Sequence, residues 1–182
     1  MSDPELVHVL YSDYGLTHFL INRDQCPASV YAEETVPVDS GYSYFEDRFI
    51  LDGEVLPLFN LHRYLITLFP FKTLAEAQLV ILTPFELLSE ETVLRLRKGP
   101  LAGMENMENC RRIGVRISSE TIIKQISLAE LEPHPRVLRE RLKKGGFPAA
   151  HPTEGSMGYF IDLDKILANT AHPQHEKTGE KR

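Results

Sequence analysis

Residues 49–65, FILDGEVLPLFNLHRYL, set two apolar runs on either side of an Asp-Gly pair and then stop on an asparagine. Asp-Gly is a preferred hairpin dipeptide, because both central positions of the tight turn favour positive φ. RFIL and EVLPLF therefore read as paired strands. After them the spacing changes to that of a helical turn, NLHRYL, and the Asn60 side chain is placed to cap the free N–H groups of that turn. No catalytic constellation lies in the stretch.

The same corner recurs near the C-terminus. Setting GEVLPLFNLHRYL (53–65) over GSMGYFIDLDKIL (155–167) matches Gly53 with Gly155, Leu58 with Phe160, Asn60 with Asp162, Leu61 with Leu163 and Leu65 with Leu167. In each copy an apolar strand ends on an Asx cap, and the Leu after the cap folds back to plug the end of the sheet. Two copies about a hundred residues apart imply two similar lobes, each closed by the same strand-to-helix corner.

Outward from these corners, LVHVL (6–10) and THFLI (17–21) flank the turn-prone SDYG and read as a hairpin. Residues 29–31 and 36–38 supply short strands around Pro27 and Pro37. AQLVILTP (77–84) reads as a buried strand, and residues 85–98 as a helix capped by Ser89 that ends near Gly99-Pro100. GMENMENC is expected to be a loop. RIGVRIS (112–118) and TIIKQIS (121–127) follow as strands, LAELEPHP as a single helical turn, and residues 137–146 as a short amphipathic helix with a Gly-Gly cap. The lobes are expected at residues 5–76 plus C-terminal elements and at residues 77–160, within one domain of residues 1–168. The polar residues 169–182 are expected to be a disordered tail.

Composition narrows the function. The chain carries 20 Lys and Arg against 26 Asp and Glu, a net charge of -6, which weighs against a nucleic-acid partner. The densest basic cluster, Arg136, Arg139, Arg141, Lys143 and Lys144, reads as the solvated face of a helix. Cys26 and Cys110 belong to no metal or redox spacing and are expected to be reduced thiols of a cytoplasmic protein. No window approaches the length of a membrane-spanning apolar run, so membrane insertion is not expected.

Three pieces of the sequence resemble the CheW-like family, the coupling scaffolds of bacterial chemotaxis. Leu51-Asp52-Gly53 with Leu56-Pro57-Leu58-Phe59-Asn60-Leu61 resembles the family's Leu-Arg-Gly turn and Val-Pro-Val-Ile-Asp-Leu strand. Residues 113–118, 121–126 and 131–135 resemble its paired strands followed by an acidic residue before prolines. Residues 160–167, FIDLDKIL, resemble its closing strand. The resemblance implies a mostly β fold of two intertwined SH3-like five-stranded β-barrels with short helices. It implies a non-catalytic scaffold without cofactor or metal, coupling the cytoplasmic tips of chemoreceptors to the regulatory domain of a CheA-type histidine kinase.

Where the family uses Arg in its turn this chain has Asp52, and where an Arg often follows the Asp-Leu pair it has His62. Asp52, Gly53 and His62 are therefore the candidate partner-binding residues, with a charge inverted at the first of them. The segment 85–110 is longer than the family usually shows. FPAAHPTEG (147–155) has too many small and proline residues for a regular central strand, so the second barrel is expected to be trimmed or distorted.

A competing reading is a small β-barrel sensor or enzyme that uses the inter-lobe cleft, with His62 or His134 as its polar group. His8 and His18 are expected to meet across the first hairpin, and His172 and His175 belong to a solvated tail rather than a metal site. Asp162 and Asp164 are expected to serve the helix cap and first turn.

Overall fold

A computed structural model describes residues 5–31, 35–38, 40–45, 47–69, 79–104 and 107–172. In chain order its elements are β1 (Leu6–Asp13), β2 (Thr17–Asn22), β3 (Ala28–Tyr31), β4 (Thr35–Pro37), β5 (Asp47–Leu51), β6 (Glu54–Asn60), α1 (Leu61–Leu68), β7 (Leu79–Pro84), α2 (Glu90–Lys98), β8 (Arg112–Ile117), β9 (Ile122–Ser127), α3 (Arg136–Lys144), β10 (Ala149–Thr153), β11 (Ser156–Ile161) and α4 (Leu163–Thr170). Single turns of 3₁₀ helix at Arg23–Gln25, Phe85–Leu87 and Leu128–Glu130 join them.

The strands form two sheets. One has the order β10-β11-β2-β1-β9 and the other β3-β7-β8-β6-β5-β4. Apart from β4, the two orders superimpose position by position. Each starts with an antiparallel hairpin, β10-β11 or β5-β6, whose second strand runs parallel to β2 or β8. Each ends on a strand that has crossed from the other lobe: β3 follows β2 in the chain but pairs with β7, and β9 follows β8 but pairs with β1. This exchange is what intertwines the lobes.

Both sheets curl into half-barrels, and the edges of the five-stranded one are bridged. β3 and β4, four residues apart in the chain, occupy the two edges of the six-stranded sheet. In the five-stranded sheet the segment after β9 returns to β10 through paired Glu132 and Ala150 hydrogen bonds of 2.9 and 2.8 Å. Closure of this kind removes open strand edges. The core is shared: Leu10, Phe19, Ile21 and Ile161 of one sheet and Phe49, Leu56, Val80, Ile113 and Val115 of the other belong to one buried cluster.

The two matched corners form as expected. Asn60 accepts from the Arg63 N–H at 2.9 Å and Asp162 from the Lys165 N–H at 3.2 Å, and Leu61, Leu65, Leu163 and Leu167 behind them are buried. Ser89 caps α2 by accepting from the Thr92 N–H. Pro57 is tolerated in a central strand because pairing with β8 starts only at Leu58.

Several expectations change. The Asp-Gly hairpin belongs with β7 and β8, not with the N-terminal hairpin, whose sheet is completed by β9, β10 and β11. The six-stranded sheet thus takes β3 to β6 from before residue 76 and β7 and β8 from after it. Residues 147–155 do contain a strand, β10, and Pro152 is accommodated because β10 lies at the sheet edge. The loop after α2 is less polar in fact than in sequence, since Leu101, Met104, Met107 and Cys110 all turn into the core. α4 reaches Thr170, so Asn169 and Thr170 are helical, while the start of the strand expected at residue 77 and the tail beyond 172 lie outside the described residues.

Candidate interaction surface

The turn between β5 and β6 has Asp52 at φ 51° and Gly53 at φ 81°, the paired positive values of a tight hairpin turn, and both residues are exposed. Just behind it, Arg112 of β8 donates to the Glu54 carboxylate at 2.6 and 3.2 Å, fixing the base of the turn to the neighbouring strand. The apex thus presents the Asp52 carboxylate on a rigid base.

His62 is not part of that surface. It lies in α1, beyond the other end of β6, a strand of seven residues that spans roughly 23 Å. Its ring is buried, stacks on Tyr14 at 5.6 Å, and its Nδ1 is 2.8 Å from the Tyr14 hydroxyl. Burial and then the nearby Arg116 lower its affinity for a proton, and burial pushes the Tyr14 hydroxyl up, so both are neutral partners of one hydrogen bond. A His two residues after a cap reads in sequence as surface; here it ties α1 to the β1-β2 turn of the other lobe.

The equivalent corner makes the equivalent tie. Asp164 holds the place in α4 that His62 holds in α1, and its carboxylate accepts from the Ser89 N–H at 2.8 Å and the Ser89 hydroxyl at 3.2 Å. Ser89 lies in the β7-β8 connection, as Tyr14 lies in the β1-β2 connection. Each lobe's closing helix is thus pinned to the other lobe's first turn. Tyr14→Phe leaves the buried His62 Nδ1 without its partner and is expected to cost about 1 to 2 kcal/mol, read from urea unfolding; an unchanged midpoint would remove His62 from the inter-lobe tie.

The remaining histidines are also built in. His134 is buried, and since the Phe147 carbonyl can only accept, its Nε2–H donates there at 2.7 Å. His8 and His18 do not meet: His8 is opposite Gln125 and His18 opposite Asp13. His18 instead pairs with His151, Nε2 to Nδ1 at 2.9 Å, across Gly158 on the strand between them. Its Nδ1 is 2.6 Å from the Ser156 hydroxyl, and His151 Nε2 lies 3.8 Å from the Glu130 carboxylate. The glycine is required, because a Cβ at 158 would stand 2.1 Å from His18 Nε2. His172 accepts from Arg95 at 3.0 Å, and His175 lies outside the described residues.

Both cysteines are buried free thiols, pushed up by burial, Cys26 to about 12. Among the described residues no cluster of three or more His, Cys, Asp or Glu is arranged to hold a metal, and no helix is long and apolar enough to cross a membrane.

No family model and no curated protein matches the sequence. Among solved structures the chain is similar to the scaffolding protein TtCheW from Thermoanaerobacter tengcongensis, at 12% identity and a TM-score of 0.60, over 90% of this chain and 88% of that one. The fold is CheW-like. At the β5-β6 turn the charged exposed residue is the acid Asp52.

Proposed function

We propose that this protein is a non-catalytic, cytoplasmic scaffold that couples chemoreceptors to a CheA-type histidine kinase, its two lobes acting as one unit. The observation that carries the reading is the CheW-like fold over nine-tenths of the chain. The sensor or enzyme reading loses its polar groups, since His62 and His134 are both buried and bonded inside the protein rather than facing a cleft.

In this reading Asp52 and Gly53 form the tip that meets a partner, and Asp52 selects a partner with a basic surface by repelling acidic ones. His62 contributes by holding the lobes in register. Mixing the protein with a CheA-type regulatory domain should give a complex on size-exclusion chromatography. Separate elution, together with a small metabolite that raises the melting temperature, would move the protein to the sensor class.

Asp52→Arg should change partner binding by about tenfold or more while costing about 1 kcal/mol of stability, because the turn needs positive φ there and Arg accepts it less readily than Asp. Unchanged binding with a large stability loss would make Asp52 a turn residue only.

A further inference from the structure

α3 is a nine-residue helix in which no residue is buried. It carries Arg136, Arg139, Arg141, Lys143 and Lys144 against Glu140 alone, a charge of +4 in a chain of -6, which leaves -10 on everything else. Isolated helices this short are marginal in water, so the fold must hold it in place. It does so by packing half-buried Leu142 against the core, and at its ends: Arg139 donates to the His134 carbonyl, Asn169 donates to the Lys144 carbonyl at 2.7 Å, and Gly145 closes the last turn on the Arg141 carbonyl.

The helix dipole accounts for basic residues in the last turn, Arg141, Lys143 and Lys144. It does not account for Arg136 in the first turn. Nor does it explain Val137, 93% exposed, with Leu138 beside it at 47%. Arg136, Val137, Arg141 and Lys144 share the outer face, Glu140 between them, and among the described residues no ion pair engages any basic side chain of α3.

We infer that the outer face of α3 is a docking surface for an acidic, leucine-bearing helical segment of a partner protein, distinct from the Asp52 turn and independent of the coupling role. Charge complementarity selects an acidic partner, and Val137 provides the apolar contact at the centre of the patch. A long phosphate polymer would meet the -10 on the rest of the molecule, whereas a short acidic helix meets only the patch. A membrane is a poorer fit, because a single fully exposed valine gives the helix no apolar face to bury among lipid chains.

The full chain is titrated into a fluorescently labelled helical peptide bearing Glu and Leu on one face, into phosphatidylglycerol-containing vesicles, and into a DNA duplex. The peptide should bind most tightly, and weaken about tenfold as salt rises from about 0.05 to 0.5 M. Arg136→Glu/Arg141→Glu/Lys144→Glu should abolish binding at the cost of only a few degrees of melting temperature from the two last-turn reversals, and Val137→Ser should weaken it several-fold. Absence of peptide binding at low salt, binding that survives the triple substitution, indifference to Val137→Ser, or tighter binding to vesicles or DNA would each overturn the assignment.

Discussion

Gly114→Ala is expected to destabilise the protein by about 3 kcal/mol. Gly114 lies on β8, paired with Leu58 of β6 on one side and Leu82 of β7 on the other. A Cβ there would stand 2.3 Å from Cε1 of Phe49, 2.9 Å from Cγ1 of Val80 and 3.1 Å from Cδ1 of Leu58. All three neighbours are buried to within 1% exposure and sit where the two sheets share one core, so none has free space to move into. The Phe49 ring occupies the volume a side chain at 114 would need. Urea unfolding measures the loss, and Phe49→Leu in the same chain should recover part of it by shortening the ring that collides. A Gly114→Ala midpoint equal to that of the parent would mean that the core at this point is looser than its geometry.

How much of this was legible in the sequence depends on whether the signal was local. The Asp52-Gly53 turn, the Asn60 and Asp162 corners and the Ser89 cap are each written within a few neighbouring residues, because turns and caps are satisfied by backbone groups close in the chain. Strand exchange is not local. Nothing within ASVY says that it pairs with residues 79–82 rather than with the strand before it. Pairing across long separations also hid the polar contacts: His18 and His151 are brought together only when β2, β11 and β10 take their register around Gly158.

The misreading of His62 has a different cause. A histidine in a helical turn is polar by composition, but with its proton affinity lowered by burial it behaves as a flat neutral ring with one hydrogen bond, and Tyr14 supplies that bond. Composition also misled at residues 103–110, where the polar letters of GMENMENC obscured two methionines and a cysteine directed into the core. The candidate site divides along the same line: Asp52 and Gly53 were legible as an exposed turn, whereas the Arg112–Glu54 contact that holds its base was not.

The His18–His151 pair makes the fold sensitive to acid, in a direction fixed by geometry. Ser156 and His151 engage the two ring nitrogens of His18, and its surroundings press against a charge: burial first, then the charge on the His151 side, with Lys124 adding to them and Asp13 and a hydrogen bond to the His151 backbone opposing. Its pKa falls from 6.5 to about 4. In the unfolded chain the same imidazole takes up its proton near pH 6.5. The folded state therefore binds fewer protons than the unfolded one between those values, and the stabilisation, whole above pH 6.5, is lost progressively as the pH falls toward 4. A difference of this size corresponds to about 3 kcal/mol at most. A proton on His18 places a charge on a buried ring at the contact that closes β10-β11 onto β2, beside His151 across Gly158. His18→Gln should be less stable than the parent at pH 7.5, having lost its ring contacts, yet should lose less on transfer to pH 4.5, because Gln has no proton to gain. Urea midpoints of both proteins at the two pH values measure this, and the carboxylates common to both cancel in the comparison. Equal losses in parent and variant would place the acid sensitivity elsewhere.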